Sequence, residues 1–306
     1  MPLGPGPAQA VIVAVFRVST PGARLTVRQS RSDGNPIVLL HGGPGVPDSM
    51  QTTVAPLLPG FRCISFDQRG VGTSECSDGR YTMAAYVDDI EAIRSHLGLE
   101  HWHVLGHSWG GLLAQAYTAR CPDRVDSLVL SSASLGTGAL WKRTKREAFL
   151  TDRRRAGLWG TARFLAFGSL LYLPGPTRSW AMRAVMTETW HNYFLDPKTA
   201  PDPNEAWLAG CSAKAMFATD RTLAREPVAL LDGVTNYHGP VMVLYGEHDI
   251  FGAASTIVRD RFPQARQITL PNSGHLHWLE NPQGYGDELR AFLPPPGPTS
   301  ARASQR

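Results

Sequence analysis

Short apolar runs recur along the chain, and most of them end in glycine or polar residues that predict a loop. They lie at 36–40, 62–66, 103–105, 127–130 and 241–245, with a further strand-like segment at 266–270. Runs this short, and apolar at nearly every position, are typical of parallel strands buried on both faces. The pattern therefore predicts a mostly parallel central sheet.

Helical periodicity fills several of the gaps between these runs. In 82–97 the apolar residues stand mostly three or four positions apart, with acidic residues between them. This spacing predicts an amphipathic helix, and further helices are predicted at 112–120, 255–262 and 282–292. Strands that alternate with helices in this way indicate an α/β fold, with one open sheet and helices on both of its faces.

The N-terminal residues follow a different pattern. Runs rich in β-branched residues at 11–18 and 25–29 flank a turn-like segment, which predicts a hairpin at the edge of the sheet. The apolar stretch 8–16 is too short to span a bilayer, and no basic segment precedes it as in a signal peptide. We therefore expect a strand there and no membrane partner.

The short apolar strands stop between about 135 and 238. Helical stretches broken by glycine and proline replace them, and five of the eight tryptophans fall here. This change predicts a helical cap inserted at 135–238 into an α/β core made of 1–134 and 239–294. Residues 295–306 are rich in proline, serine and arginine, which predicts a disordered tail.

Composition and cysteine spacing narrow the class of protein. With 42% hydrophobic and 18% charged residues in a chain of 306, a large folded core is expected. The 4 cysteines stand far apart without a CxxC pair, which argues against a zinc site and a disulfide framework and favours the cytoplasm. No other ligand cluster has metal spacing, so no metal is expected.

The net charge of +4 is concentrated in one segment. From Lys142 to Arg155 there are seven basic residues against Glu147 and Asp152, and the rest of the chain is close to neutral. We interpret the segment as a solvated helix face. If it binds a partner, an acidic carrier protein or an anionic substrate is expected rather than nucleic acid, because no nucleic-acid motif accompanies it.

A G-x-S-x-G motif at 106–110 lies between a predicted strand and a predicted helix. That is the context in which this motif carries a nucleophile, because its glycines let the serine adopt a strained turn at the helix N-terminus. We therefore interpret Ser108 as a catalytic nucleophile.

A serine hydroxyl needs a base to take its proton and a carboxylate to orient that base. Asp249 follows the strand at 241–245, and His275 lies in the loop after the next strand, which gives the chain order Ser, Asp, His. Glu247 or Asp260 could be the acid instead. Asp249 could also be a simple helix N-cap, and His275 a surface histidine.

Backbone amides near the same edge could stabilise an oxyanion. Gly42 and Gly43 follow a strand end and could aim one amide at the site, paired with the amide of Trp109 directly after the nucleophile. The alternative is a plain tight turn. We expect His41 to support that loop, and Arg69 to be structural rather than a substrate contact.

Three motifs together resemble the proline iminopeptidase family of the α/β-hydrolase superfamily. They are His-Gly-Gly-Pro-Gly at 41–45, Asp-Gln-Arg-Gly-Val-Gly-Thr-Ser at 67–74 and Gly-His-Ser-Trp-Gly-Gly at 106–111. The resemblance runs from about Ile37 to Phe292 and is weakest through the cap. It implies an α/β-hydrolase fold with catalytic Ser108, Asp249 and His275 and an oxyanion hole of Gly43 and Trp109.

The resemblance also implies an activity. Members of this family are serine aminopeptidases that remove an N-terminal proline without a cofactor, and they bind the substrate's ammonium with carboxylates. One branch has a second acid after the triad aspartate, where this chain has Ile250. We therefore expect substrate contacts within 135–238 but assign them to no particular residue.

Other functions stay open at this stage. An esterase, lactonase or thioesterase/cyclase is an alternative, because an aromatic cap suits a bulky apolar or carrier-bound acyl substrate. A ligand-binding protein on a hydrolase scaffold is the alternative that is not an enzyme. The leading expectation is a serine hydrolase that acts through an acyl-enzyme on a short peptide or another small molecule.

Overall fold

The computed structural model of the chain describes residues 12, 14–31 and 33–295. Predictions that fall partly outside these residues include the strand expected at 8–16, the first hairpin strand expected at 11–18 and the disordered tail expected at 295–306.

Within the described residues, nine strands form one sheet. They are β1 (Ala14–Thr20), β2 (Ala23–Gln29), β3 (Pro36–Leu40), β4 (Arg62–Phe66), β5 (Glu75–Cys76), β6 (Trp102–His107), β7 (Val125–Ser131), β8 (Val241–Gly246) and β9 (Arg266–Leu270). Their order is β1-β2-β4-β3-β6-β7-β8-β9, with β5 paired to β2. Pairing is antiparallel from β1 to β4 and parallel from β4 to β9, which confirms a mostly parallel sheet with a hairpin at its edge.

In the same part of the chain, ten α-helices connect or follow the strands. They are α1 (Met50–Thr53), α2 (Met83–His96), α3 (Trp109–Arg120), α4 (Ala139–Leu170), α5 (Pro176–Asn192), α6 (Glu205–Gly210), α7 (Ala213–Leu223), α8 (Thr256–Arg261), α9 (His277–Glu280) and α10 (Pro282–Phe292). Short 3₁₀ helices lie at Ala55–Leu57, Pro122–Arg124, Val228–Asn236 and Gly252–Ser255.

Both faces of the sheet are covered, as the apolar runs predict. Along β3, Ile37 and Leu39 belong to one buried cluster, whereas Val38 and Leu40 belong to another on the opposite face. Successive side chains of a strand point to opposite faces, so a strand that is apolar throughout must be buried on both.

The helix after the G-x-S-x-G motif starts earlier than its glycines suggest. The predicted helix begins at Leu112, but α3 begins at Trp109 and includes Gly110 and Gly111. A Cβ on Gly110 would lie 2.0 Å from the backbone oxygen of Leu40, and one on Gly111 would meet Ala133. These glycines therefore allow a close approach between helix and sheet rather than a turn.

The segment between β7 and β8 is helical, as the loss of apolar strands predicts. It holds α4 to α7, and a small cluster that includes Ala181, Met182 and Val185 is buried within it. Gly157 (φ 67°) interrupts the regular backbone of α4. Within the described ranges, no helix is long and apolar enough to cross a membrane.

Candidate active site

Ser108 sits in a strained turn between β6 and α3. Its backbone has φ 55° and ψ −119°. A Cβ on Gly106, two residues before the serine, would lie 2.2 Å from the backbone oxygen of Gly110. A glycine is therefore needed for the turn, and a non-glycine residue with this φ is held by the surrounding structure. The serine is 9% exposed and lines a cavity.

Asp249 and His275 meet at the same edge of the sheet, after β8 and β9. His275 Nδ1 lies 2.9 Å from Asp249 Oδ2. The other carboxylate oxygen accepts a hydrogen bond from the Phe251 amide at 2.8 Å. Burial would raise the pKa of Asp249, but the charge of His275 and these hydrogen bonds hold that pKa below its ordinary value. The carboxylate is therefore ionised beside the imidazole.

The rival acids are placed differently. Glu247 is exposed and accepts from the Asn272 amide, while Asp260 is exposed on α8. His275 is 1% exposed and so is not a surface histidine. Within the part of the chain that the structure describes, the Ser108 hydroxyl makes no hydrogen bond, although Ser108 and His275 line one cavity. Such contacts often tighten only when substrate binds.

The backbone amides of Gly43 and Trp109 have no hydrogen-bond acceptor among the described residues. Gly43 also lines the cavity. A Cβ on Gly42 would lie 3.3 Å from the Ser108 Cβ, so the 41–43 loop runs directly beside the nucleophile.

His41 holds this loop in place through two hydrogen bonds of its buried ring. Its Nε2 accepts from the Gln68 amide at 3.2 Å, and its Nδ1 donates to the Gly42 carbonyl at 2.8 Å. Burial lowers the pKa of His41, which keeps the ring neutral for this pattern. Gln68 Oε1 also accepts from the Trp109 indole at 2.7 Å. The Gln68 side chain also donates to the His41 carbonyl at 3.0 Å, so it connects the glycine loop to the start of α3.

A cavity of about 600 Å³ lies between these residues and the helical insertion. Its walls on the helical side are largely apolar and aromatic, and include Phe149, Phe164, Leu165, Tyr172 and Phe217. This size and lining are typical of sites for small molecules.

Two carboxylates, Asp152 and Asp220, also line the cavity. Asp152 is 4% exposed, and its Oδ1 has no hydrogen-bond partner among the described residues. Burial raises the pKa of Asp152. Asp220 accepts from the Trp141 indole at 3.1 Å and lies 3.4 Å from the Lys145 ammonium.

The basic segment does not form one solvated face. Its first four cations are exposed, but Arg155 is half-buried and donates to the carbonyls of Asn192, Phe194 and His248. Arg153 lies over the Phe164 ring at 4.0 Å. Two of the seven cations therefore hold the helical insertion together or fasten it to the loop of Asp249.

Three polar residues near Asp249 and His275, which are Ser132, His277 and His107, were given no role from the sequence. Ser132 donates to Asp249 Oδ2 at 2.5 Å, and His277 contacts Ser132 and Ser131. His107 packs 4.7 Å from the His275 ring and donates to its carbonyl. The sequence did contain one signal for the contact of Ser132 with Asp249, which is the Ser-Ser pair at the end of β7. Because β7 and β8 are adjacent parallel strands, their ends lie at the same edge of the sheet, where Asp249 follows β8.

The chain is similar to known hydrolases. Residues 35–167 match the family model described as "alpha/beta hydrolase fold". A proline iminopeptidase from Lactobacillus delbrueckii subsp. bulgaricus is 38% identical over 273 residues, which cover 86% of this chain and 90% of the relative. One from Lactobacillus helveticus is 27% identical over 280 residues, which cover 86% and 91%.

Solved structures show the same fold. The proline iminopeptidase of Mycobacterium smegmatis superposes with a TM-score of 0.67 at 22% identity, over 91% of this chain and 97% of that one.

Proposed function

The chain belongs to the proline iminopeptidase family of α/β hydrolases, and we propose that it hydrolyses its substrate through Ser108, His275 and Asp249. The hydrogen bond between His275 Nδ1 and Asp249 supports this assignment, because it leaves Nε2 free to act as the base. The strained backbone of Ser108 supports it as well.

The reaction then follows in two stages. The Ser108 oxygen attacks the substrate carbonyl as its proton passes to His275 Nε2, and the amides of Gly43 and Trp109 stabilise the oxyanion. The bond to the leaving group breaks as His275 returns the proton to it, which leaves an acyl-enzyme. Water, deprotonated by His275, attacks the ester, and Ser108 leaves with its proton restored.

We infer further that the substrate carries an N-terminal amine, and specifically a proline. The curated relatives are named for this activity. Asp152 supports the inference, because this carboxylate lies in the cavity wall and its Oδ1 has no hydrogen-bond partner among the described residues, although Arg153 pairs with Oδ2. Asp220 is a second carboxylate within the same cavity.

Proline 4-nitroanilide is the first substrate to test. We expect Ser108-dependent turnover, and a kcat/KM at least about 100-fold lower for the N-acetylated arylamide, since that compound has no ammonium to pair with the cavity carboxylates of Asp152 and Asp220. The measurement is the kcat/KM ratio of these two arylamides and a short-chain aryl ester. Ester turnover with no arylamide turnover would contradict the aminopeptidase assignment.

An esterase, lactonase or thioesterase/cyclase is the second candidate. The aromatic helical side of the cavity supports it, because a bulky apolar acyl group would bury more of these rings than a prolyl group. The same aryl ester distinguishes the two candidates.

We also propose an acidic carrier protein as a partner for the exposed part of the basic segment. We expect the triple variant K142E/R143E/R146E to lower kcat/KM about tenfold for a carrier-bound acyl substrate but not for a free one, because rim charges mainly set the association rate. Arg153 and Arg155 are left unchanged, since they make structural contacts.

Reversing three exposed cations elsewhere gives the matched control. R24E/K198E/K214E carries the same change in net charge. Equal losses in both triple variants, or none in either, would rule out docking at this segment.

A further inference from the structure

A chain of buried hydrogen bonds runs from Asp249, past the end of β7, to Tyr285 on α10. Ser132 follows the last residue of β7 and has φ 47°. Its hydroxyl donates to Asp249 Oδ2 at 2.5 Å, the same oxygen that lies 2.9 Å from His275 Nδ1. The carboxylate oxygen that orients the proposed base is therefore shared between two donors.

The chain continues through His277. Its Nδ1 lies 3.3 Å from Ser132 Oγ, and its Nε2 lies 2.7 Å from Ser131 Oγ. Beyond that, the Tyr285 hydroxyl donates to Ser131 Oγ at 3.1 Å. All of these side chains are buried.

The protons in this chain can be ordered in only one direction. Because the ionised carboxylate only accepts, Ser132 must donate to Asp249 and receive from His277 Nδ1. His277 Nε2 is then an acceptor for the Ser131 hydroxyl, which in turn receives from Tyr285. Burial lowers the pKa of His277 to about 3, so its ring is neutral and has one donor and one acceptor.

We infer that Ser132 is a positioning residue for the catalytic acid, and that His277, Ser131 and Tyr285 fix the direction of its hydroxyl. This inference rests on the proposed function, since it assigns Asp249 as the acid. The Ser132 hydrogen bond withdraws charge from the oxygen that would stabilise a protonated His275. Without this hydrogen bond, His275 Nδ1 would be the one described side-chain group bonded to that oxygen, and the negative charge facing the imidazole would increase.

Other charged and titratable groups surround this pair. His107 lies at the end of β6, Arg155 on α4, Tyr193 after α5 and Tyr245 on β8, and each interacts electrostatically with Asp249 or His275. None of them donates a hydrogen bond to the Asp249 carboxylate among the described residues. Ser132 is thus the group whose removal changes that carboxylate most directly.

Ser132→Gly is the variant that tests the inference. Glycine readily adopts φ 47°, so the substitution removes the hydroxyl without backbone strain. A fluorophosphonate reacts with the nucleophilic serine, and its rate of inactivation is measured as a function of pH. We expect the acid limb of this profile to move about 0.5–1 pH unit upward. Tyr285→Phe should move the acid limb in the same direction by less, because the Tyr285 hydroxyl reaches Ser132 only through Ser131 and His277.

Ser273→Ala is the matched control. Ser273 is buried in the loop before His275, but its hydroxyl donates to the Leu270 carbonyl and not to Asp249. We expect its acid limb to coincide with that of the wild type.

Each outcome has a distinct meaning. If the wild type is labelled but the acid limb is unmoved in both Ser132→Gly and Tyr285→Phe, the proposed role of Ser132 is overturned. If Ser132→Gly does not fold, Tyr285→Phe decides the question alone. A wild-type protein that is never labelled at Ser108 would instead overturn the proposed function itself.

Discussion

Ser108→Ala should lower kcat by about four orders of magnitude or more, with no loss of folded structure. Without the hydroxyl no acyl-enzyme can form, and only substrate binding and the oxyanion amides remain. The alanine costs little stability because Ser108 makes no side-chain hydrogen bond within the described residues. Activity is measured with the substrate that passes the arylamide and ester comparison, and folding by circular dichroism.

Ser134→Ala is the control for this variant. Ser134 is a second buried serine in the same cavity, and we expect its loss to change kcat by less than about tenfold. A fluorophosphonate should label the wild type and Ser134→Ala but not Ser108→Ala. Full activity in a folded Ser108→Ala protein would exclude the proposed mechanism.

The catalytic candidates could be found in the sequence because each one follows a recognisable strand. Apolar runs mark where β6, β8 and β9 end, and parallel strands bring their carboxyl ends to one edge. Ser108, Asp249 and His275 each lie at or just beyond such an end. Their proximity then follows from topology, without knowledge of any single side-chain contact.

The support for Asp249 could not be predicted in the same way. Ser132 and His277 are separated from their partners by more than a hundred residues along the chain, and hydrophobic periodicity carries no information on such polar pairs. His277 lies two residues after His275 in the sequence, which indicates that it is near but not which groups it bonds. Its pairing with Ser131 and Ser132 depends on the direction in which the chain leaves β9.

The basic segment illustrates a second limit. A count of charges treats all seven cations alike, but Arg155 points inward to three backbone carbonyls while Lys142 remains exposed. A guanidinium carries five donors and suits such a multiple contact better than an ammonium does. Which cations turn inward depends on where α5 ends, which the sequence did not define.

The loop that supports the oxyanion amides depends on a buried ion pair. Arg69 donates to both oxygens of Asp89, at 2.8 and 2.7 Å, and both side chains are fully buried. Arg69 also donates to the carbonyls of Arg80 and Ala85. Burial disfavours its charge, but the hydrogen bonds and charge of Asp89 raise the pKa of Arg69 above its ordinary value. The expectation that Arg69 is structural agrees with these contacts.

Asp89→Asn should destabilise the protein by about 3–5 kcal/mol, because it removes the buried counter-ion of Arg69 while keeping nearly the same side-chain shape. The remaining carboxylate, Asp78, is partly exposed and lies 3.7 Å from the guanidinium. Replacing both residues, as R69M/D89L, should recover part of that loss, since the uncompensated charge is then gone. Stability is measured from the midpoint of urea unfolding at a constant m-value.

The neighbouring residue on α2 supplies the comparison. Asp88 pairs with Arg120 at 2.7 Å, but both side chains are about half exposed. We expect Asp88→Asn to cost less than about 1 kcal/mol, because water and salt screen exposed ion pairs. If Asp89→Asn were no more destabilising than Asp88→Asn, the 67–74 loop would have to be held by its other contacts, such as the Ser74 hydroxyl on the Asp67 carbonyl. If folded Asp89→Asn protein nevertheless had a low kcat, we would attribute the loss to a displaced oxyanion loop. Gln68 is next to Arg69 and bonds both His41 and Trp109, so a shift of Arg69 would reach that loop.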